Sequence, residues 1–326
     1  MRNKSVVVVA TGIVGPFHLA CLYAMLNVEF SCFSIKLFLK KDNYWGRTII
    51  PHRYINFGEV NYDLEIFDDI NTITKSASIN SSDKIVLVGV TNVSIKNYSK
   101  LFIGLHARKI YCLTIEEGIG TYTFTYSRRL ANLMDEGVLG ISAVLKLFVQ
   151  FSCLKIFNYL FNVKNYRLIQ CKNLEQNEKY KNSLRCVFKK ISESVKGYEE
   201  INSLFLSQPY KLLGADDENV TSYILSSINK TVNSNVMVKQ HPSEVVISDS
   251  DSILKFDGCV EEFYYAGGQS LTRIYGISST SLYTMRVLYE IDTFRVLSKK
   301  YPFHCSNHTN ILDDILRVYT SELLVD

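Results

Sequence analysis

No two of the chain's eight cysteines stand in CxxC spacing, and none combines with the six histidines at zinc-site spacing. A zinc module is therefore not expected. Cys21, Cys32, Cys112, Cys153, Cys171, Cys186, Cys259 and Cys305 are scattered singly, most of them in apolar runs, and read as buried, reduced thiols of a cytoplasmic protein. A strong charge of either sign is missing too. With 36 Lys plus Arg against 32 Asp plus Glu, the formal net charge is +4 over 326 residues, too mild for a chain that coats nucleic acid. No segment is low in complexity, and no internal repeat stands out beyond the coarse likeness of two halves. A signal peptide is not expected, because few basic residues precede the run Ser5 to Ala10 and no small-residue cleavage site follows it. What the chain does have is 47% hydrophobic and 12% aromatic residues. That is ample for packed cores and excludes disorder as the main state, and the length suggests about two domains of roughly 150 residues.

One run is long and apolar enough to consider for a membrane, Val138 to Val163. It carries Lys146 and Lys155 near its middle, and each lysine at a bilayer centre costs on the order of 3 kcal/mol, which argues against spanning. The run is expected as one or two helices apolar over most of their circumference, broken or bent near Phe151 to Ser152 and flanked by Lys164, Arg167 and Lys172. Two readings stay open. One is a buried helical hairpin; the other is a basic, amphipathic element lying on an anionic membrane, which suits a peripheral enzyme with a lipid-linked substrate.

Elsewhere, short β-branched runs alternate with helical spacing, the pattern of α/β units with parallel sheets. Strands are expected at Ser5 to Ala10, Cys32 to Leu39, Lys84 to Val90, Lys109 to Ile115, Tyr166 to Cys171, Ser203 to Ser207, Asn235 to Lys239, Arg273 to Ile277 and Phe294 to Leu297. Helices are expected at His18 to Leu26, Val93 to Leu105, Leu184 to Val195, Asn219 to Ile228 and Ser281 to Tyr289, with a final one over Ile311 to Leu324 that packs back across both domains. Polar stretches at Asn173 to Lys181 and Lys196 to Glu200 place the domain switch near residue 197, giving domains 1–197 and 198–326. Ligands of open α/β sheets sit outside the carboxyl ends of the strands, so polar residues just after strands are the ones to examine.

Four strand ends carry such residues. Thr11-Gly12-Ile13-Val14-Gly15-Pro16 offers glycines for close backbone approach and a helix amino terminus for an anion, without a GxGxxG fingerprint; it reads equally as a tight turn. In Glu116-Glu117-Gly118, two carboxylates emerge from the apolar strand IYCLTI. Repulsion and desolvation raise one pKa toward the range of a general base; the plainer alternative is a solvated loop or helix cap. The third, Lys239-Gln240-His241-Pro242, ends with a proline that holds His241 extended so that its imidazole can be aimed, although a lone histidine is often structural. Ser278-Ser279-Thr280-Ser281 opens a helix with more hydroxyls than an N-cap needs, as a phosphate site would.

Glu-Glu-Gly in the first half, His-Pro in the second and a Ser/Thr run some forty residues later form an ordered set. The set resembles bacterial sialyltransferases with two Rossmann-like domains facing a central cleft (the GT-B type), including the polysialyltransferase-like and lipooligosaccharide-sialyltransferase-like branches. It spreads over most of the chain as short motifs rather than one long match. The resemblance implies inverting transfer of sialic acid from CMP-sialic acid to a hydroxyl of a surface oligosaccharide. Glu117 would be the general base and Glu116 would tune it, or the two would exchange roles, since many relatives carry the shorter Asp here. His241 would bind or protonate the departing phosphate, and Ser278, Ser279 and Thr280 would hold it. Gly12, Lys239 and Pro242 would line the donor site, and Glu262, or Glu261 beside it, would meet the nucleotide ribose.

A single-phosphate leaving group can be stabilised by an imidazole, hydroxyls and a helix terminus, so no metal or other cofactor is expected. The one Asp-x-Asp string, Asp249-Ser250-Asp251, sits among turn formers and reads as a solvated loop. Arg128 and Arg129 could meet an acidic acceptor or simply face solvent. Two other readings remain at this point: a related transferase using CMP-Kdo or a nucleoside diphosphate sugar, and a non-catalytic glycan-assembly subunit. Partners are accordingly a nucleotide sugar, a glycan acceptor and a possible membrane surface, with no nucleic acid.

Overall fold

The structure is a computed structural model and describes residues 5–40, 50–55, 57, 62–75, 79, 83–106, 109–116, 118, 121–122, 124–135, 137, 140–169, 174–195, 198, 200–208, 210, 219–241, 252–267, 269–301 and 308–325. The chain divides into two compact units, Met1–Leu130 with Val138–Val187, and Ala131–Gly137 with Phe188–Asp326. The expected switch at 197 lies further on. The division falls instead within a helix, Leu174–Ser192, whose apolar spacing runs on without a Gly or Pro to stop it.

The first unit runs β1 (Ser5–Thr11), α1 (Pro16–Phe30), β2 (Ser34–Lys40), α2 (His52–Ile55), β3 (Tyr62–Phe67), α3 (Ile70–Ile73), β4 (Lys84–Val90), α4 (Ile95–Gly104), β5 (Ile110–Ile115), α5 (Tyr126–Asp135), α6 (Ile141–Leu160), β6 (Lys164–Asn165) and α7 (Leu174–Ser192). Its sheet has the order β3-β2-β1-β4-β5-β6 with every pair parallel. The four valines of β1 are wholly buried, as the central strand of a sheet covered on both faces must be. One face packs on Ile70, Ile73, Val93, Leu101 and Phe157.

The second unit has β7 (Ser203–Leu206), α8 (Val220–Val232), β8 (Met237–Lys239), α9 (Val260–Ala266), β9 (Arg273–Gly276), α10 (Thr280–Tyr289), β10 (Asp292–Ser298), α11 (His308–Tyr319) and β11 (Ser321–Val325). Its sheet, also parallel, has the order β11-β10-β9-β7-β8. The strand α/β expectation is met by two parallel sheets, with four corrections.

The edge strand β3 was not expected. Its Asp63, Glu65 and Ile66 are exposed, so it lacks the apolar run that marks the inner strands. The final helix stops at Tyr319, where Thr320 turns back to bond Leu316 O, and the last apolar residues pair with β10 as an edge strand. The apolar run near 150 forms one helix, α6, not broken at Phe151 and not paired in a buried hairpin; of its side chains only Leu147 and Phe157 are buried. The expected strand Tyr166 to Cys171 is not extended over its described residues: after the two-residue β6, the Leu168 and Ile169 amides are taken by side chains instead of a neighbouring strand. The cysteines also depart from expectation. None of the six described ones is in a disulfide, but Cys32, Cys153 and Cys186 are exposed.

Candidate active site

In the first unit, β5 delivers Glu116 into the interior. Its carboxyl is fully buried, Oε2 accepting from Leu168 N at 2.6 Å and from the Tyr122 hydroxyl at 2.9 Å, and Oε1 has no hydrogen-bond partner. Desolvation pushes its pKa up to about 7, against the opposing pull of those two hydrogen bonds and of the Arg167 guanidinium. Tyr122 in turn accepts from Ile169 N at 3.0 Å.

Arg167, expected as a basic flank of the apolar helix, is instead buried. It donates to Thr114 Oγ1 at 2.9 Å, Thr91 O at 3.0 Å and Tyr166 O at 3.1 Å. A guanidinium with five donors can satisfy several carbonyls at once and stays charged when buried; here it ties the ends of β4 and β5 to the chain beyond β6. Lys164 remains outside and pairs with Glu29 at 3.1 Å. Glu117, the expected base, follows Glu116 directly and lies outside the described residues.

Two glycines shape this end of the sheet. Gly12 takes φ +79°, a conformation unfavourable for a side chain, and a Cβ there would meet Val90 at 3.4 Å. Gly89 admits the chain just after β4: a Cβ would stand 2.0 Å from Asn92 O. The turn at Thr91 and Asn92 therefore requires it.

In the second unit, the ends of three adjacent strands come together, because β7 lies between β9 and β8. Ser207, just past β7, accepts from the His241 amide at 3.2 Å, and the next residue, Gln208, accepts from Ser278 Oγ at 2.6 Å. Ser207 and Gln208 thus bridge the His241 strand end to the hydroxyl run. Neither was expected in the site; an uncharged Ser-Gln pair gives little signal, though it follows an apolar strand as the other candidates do.

His241 is exposed, and its pKa is lowered first by desolvation and then by the Lys239 charge. Lys239 donates to Phe256 O at 2.7 Å and lies 5.5 Å from the centroid of the Phe256 ring; burial lowers its pKa. Ser279 caps α10, accepting from Ser281 N at 3.3 Å, and Thr280 begins that helix.

Glu261 and Glu262 occupy the first turn of α9, where a helix dipole favours acids. Both are buried, Glu261 accepting from Thr284, so a ribose contact from either requires its surroundings to open. Pro242 and the Asp249-Ser250-Asp251 string lie outside the described residues, as does the Arg128 side chain. Among the described residues, no group of three or more His, Cys, Asp or Glu converges as a metal site would.

Comparison with known proteins bears on this arrangement. A 2,6-sialyltransferase of Photobacterium sp. JT-ISH-224, solved in a ternary complex with the donor product CMP and the acceptor substrate lactose, superposes with a TM-score of 0.50 at 13% identity, over 98% of this chain and 78% of that one. A sialyltransferase of Photobacterium damselae, represented by its GT-B domain, gives a TM-score of 0.45 at 10% identity, over 98% of this chain and 99% of that one. At such identities the first likeness bears on the fold alone, that of two α/β units of the GT-B type. No curated protein sequence matches the chain. A family profile does, the one described as alpha-2,8-polysialyltransferase (POLYST), over residues 26–298. That match takes in the end of β5, the His241 strand end and the hydroxyl run alike, and by it the chain belongs to the alpha-2,8-polysialyltransferase family.

Proposed function

We propose that the protein transfers sialic acid, with inversion, from CMP-sialic acid to a hydroxyl of a lipid-linked surface glycan, acting at the cytoplasmic face of the membrane without a metal or other cofactor. The observation that carries this reading is the Glu116 carboxyl, buried and held near pH 7 at the strand end that leads directly into Glu117. Because Glu116 faces inward, an acceptor hydroxyl does not reach it, and we assign the base role to Glu117. Glu117 takes the proton as the acceptor oxygen attacks the anomeric carbon. The bond from that carbon to the phosphate oxygen breaks on the opposite face, with oxocarbenium character. His241 hydrogen-bonds or protonates the departing phosphate, and Ser279 and Thr280 bind it beside the α10 amino terminus.

The lipid-linked part of the reading draws support from α6, the one described helix long and apolar enough to cross a membrane, which presents exposed apolar side chains instead of a buried hairpin. The test is direct. Incubated with CMP-sialic acid and glycan acceptors, the protein should release CMP and extend the glycan in the presence of EDTA. Glu117→Gln should lower turnover by about 100-fold or more, as loss of a general base does, while CMP still binds. Native turnover in that variant, or activity abolished by chelation and restored by manganese, overturns the scheme.

A further inference from the structure

Two features that stability alone disfavours meet at the end of β4. Thr91 adopts φ 62°, a left-handed conformation that strains a β-branched residue and that Gly or Asn takes with ease. Arg167 is 8% exposed, yet its three hydrogen bonds all go to uncharged oxygens: Thr91 O, Thr114 Oγ1 and Tyr166 O. A guanidinium drawn out of water onto neutral acceptors costs more free energy than a neutral donor in the same place. Local choices of this kind, which oppose stability, are expected where function requires them.

Both residues act on the strand end that leads to the candidate base. The Thr91 amide donates to Ile115 O at 2.9 Å, and the Thr91 hydroxyl meets that of Thr121 at 3.1 Å. Its carbonyl, the remaining polar group, accepts from Arg167 Nη2 at 3.0 Å. Glu117 lies in the chain between Ile115 and Thr121. Thr91 is therefore bonded on both sides of Glu117 and is itself held by Arg167. The guanidinium also grips β5 directly: Thr114 Oγ1, which accepts from it at 2.9 Å, donates in turn to Asn165 Oδ1 at 2.6 Å. One buried cation thus fixes the ends of β4 and β5 together.

We propose that Arg167 and Thr91 are positioning residues: Arg167 holds Thr91 in its left-handed conformation, and Thr91 holds Ile115 and Thr121 at the spacing that the base role of Glu117 requires. The inference rests on the transferase reading and deepens it, by naming two residues that act on the reaction through the base and not on the substrate.

Thr91→Gly separates positioning from folding. It accommodates φ 62° without strain, keeps both backbone hydrogen bonds and removes only the hydroxyl bridge to Thr121. With CMP-sialic acid and a short oligosialic acid acceptor, it should lower kcat about tenfold, while CMP affinity and the thermal midpoint hold. Thr91→Ser, which keeps the hydroxyl, should recover most of that loss. Thr121→Val removes the same bridge from the other side, so the double variant should be no slower than the slower single one. Arg167→Lys keeps the charge and loses the fork that reaches three acceptors; its kcat should fall at least about tenfold with CMP affinity held. Native kcat in Thr91→Gly, or losses that add in the Thr91 and Thr121 double variant, overturns the inference whether or not the Arg167 variant folds. If the wild-type protein releases no CMP from CMP-sialic acid with this acceptor, the transferase reading falls and the inference falls with it.

Discussion

Tyr122 reaches back to donate its hydroxyl to Glu116 Oε2 at 2.9 Å, and the same hydroxyl accepts from Ile169 N at 3.0 Å. One phenol oxygen therefore ties the end of β5 to the chain beyond β6. Tyr122→Phe removes it and leaves a buried carboxyl and an amide each short of a partner, a cost of about 1–3 kcal/mol. Urea unfolding at pH 7 should show that loss. Under conditions where the variant stays folded, kcat for transfer should fall while CMP affinity holds. Unchanged kcat would mean that transfer does not depend on this contact.

Glu116 also makes stability depend on pH in a direction opposite to that of an ordinary surface acid. Its folded pKa of about 7 lies above the ordinary carboxylate value of 4.5, so between those values the folded state binds more protons than the unfolded one. Stability should fall as pH rises through that window and level off above it. The difference is on the order of 3 kcal/mol at most. Unfolding measured from pH 5 to pH 8 on wild type and Glu116→Gln isolates the effect, because the variant lacks the titrating group. Parallel curves for the two proteins would show that the carboxyl is solvated in solution.

How much of this arrangement was legible in the chain depends on how each residue is satisfied. The inner strands were readable because burial on both faces demands unbroken apolar runs, as in Val6 to Ala10. Glu116 was readable because a charge pair directly after such a strand is out of place. Arg167 was not: a basic residue after an apolar helix looks like a solvated flank, and only the converging carbonyls of Thr91 and Tyr166 reveal a buried role. Strand β3 was hidden by its exposed acids, and β11 by an apolar tail that continues the helical spacing of α11. Ser207 and Gln208 give no signal in the sequence because their role is one of contact between strand ends. They matter only once the sheet order sets β7 between β8 and β9.

That sheet order makes Ser207 a measurable support of the proposed donor site. Ser207→Ala removes the acceptor for the His241 amide, and Gln208→Ala frees Ser278. Each loses a hydrogen bond that contributes roughly 1 kcal/mol, so each should weaken CMP binding about fivefold in a calorimetric titration. Thermal midpoints close to wild type would separate this effect from general unfolding. Native CMP affinity in both variants would mean that the two strand ends keep their positions unaided.

Helix α6 should bring the protein to lipid. Ile141, Leu145, Phe148, Val149, Ile156 and Tyr159 are all exposed, Tyr159 at 85%. Residues three, four and seven apart recur among them, which places them along one side of the helix. The helix carries Lys146 and Lys155 and no acid. An apolar stripe with cations beside it inserts to the depth of the acyl boundary while the ammonium groups reach anionic head groups. The protein should therefore sediment with vesicles containing phosphatidylglycerol at low ionic strength, and less with neutral ones, the difference shrinking as salt screens the lysines. Leu145→Glu combined with Val149→Glu sets two carboxylates in the stripe and should abolish sedimentation without moving the thermal midpoint, since both side chains face water in the free protein. Equal sedimentation of this variant and wild type would show that another surface makes the contact; absence of wild-type binding at low salt would remove the membrane from the scheme.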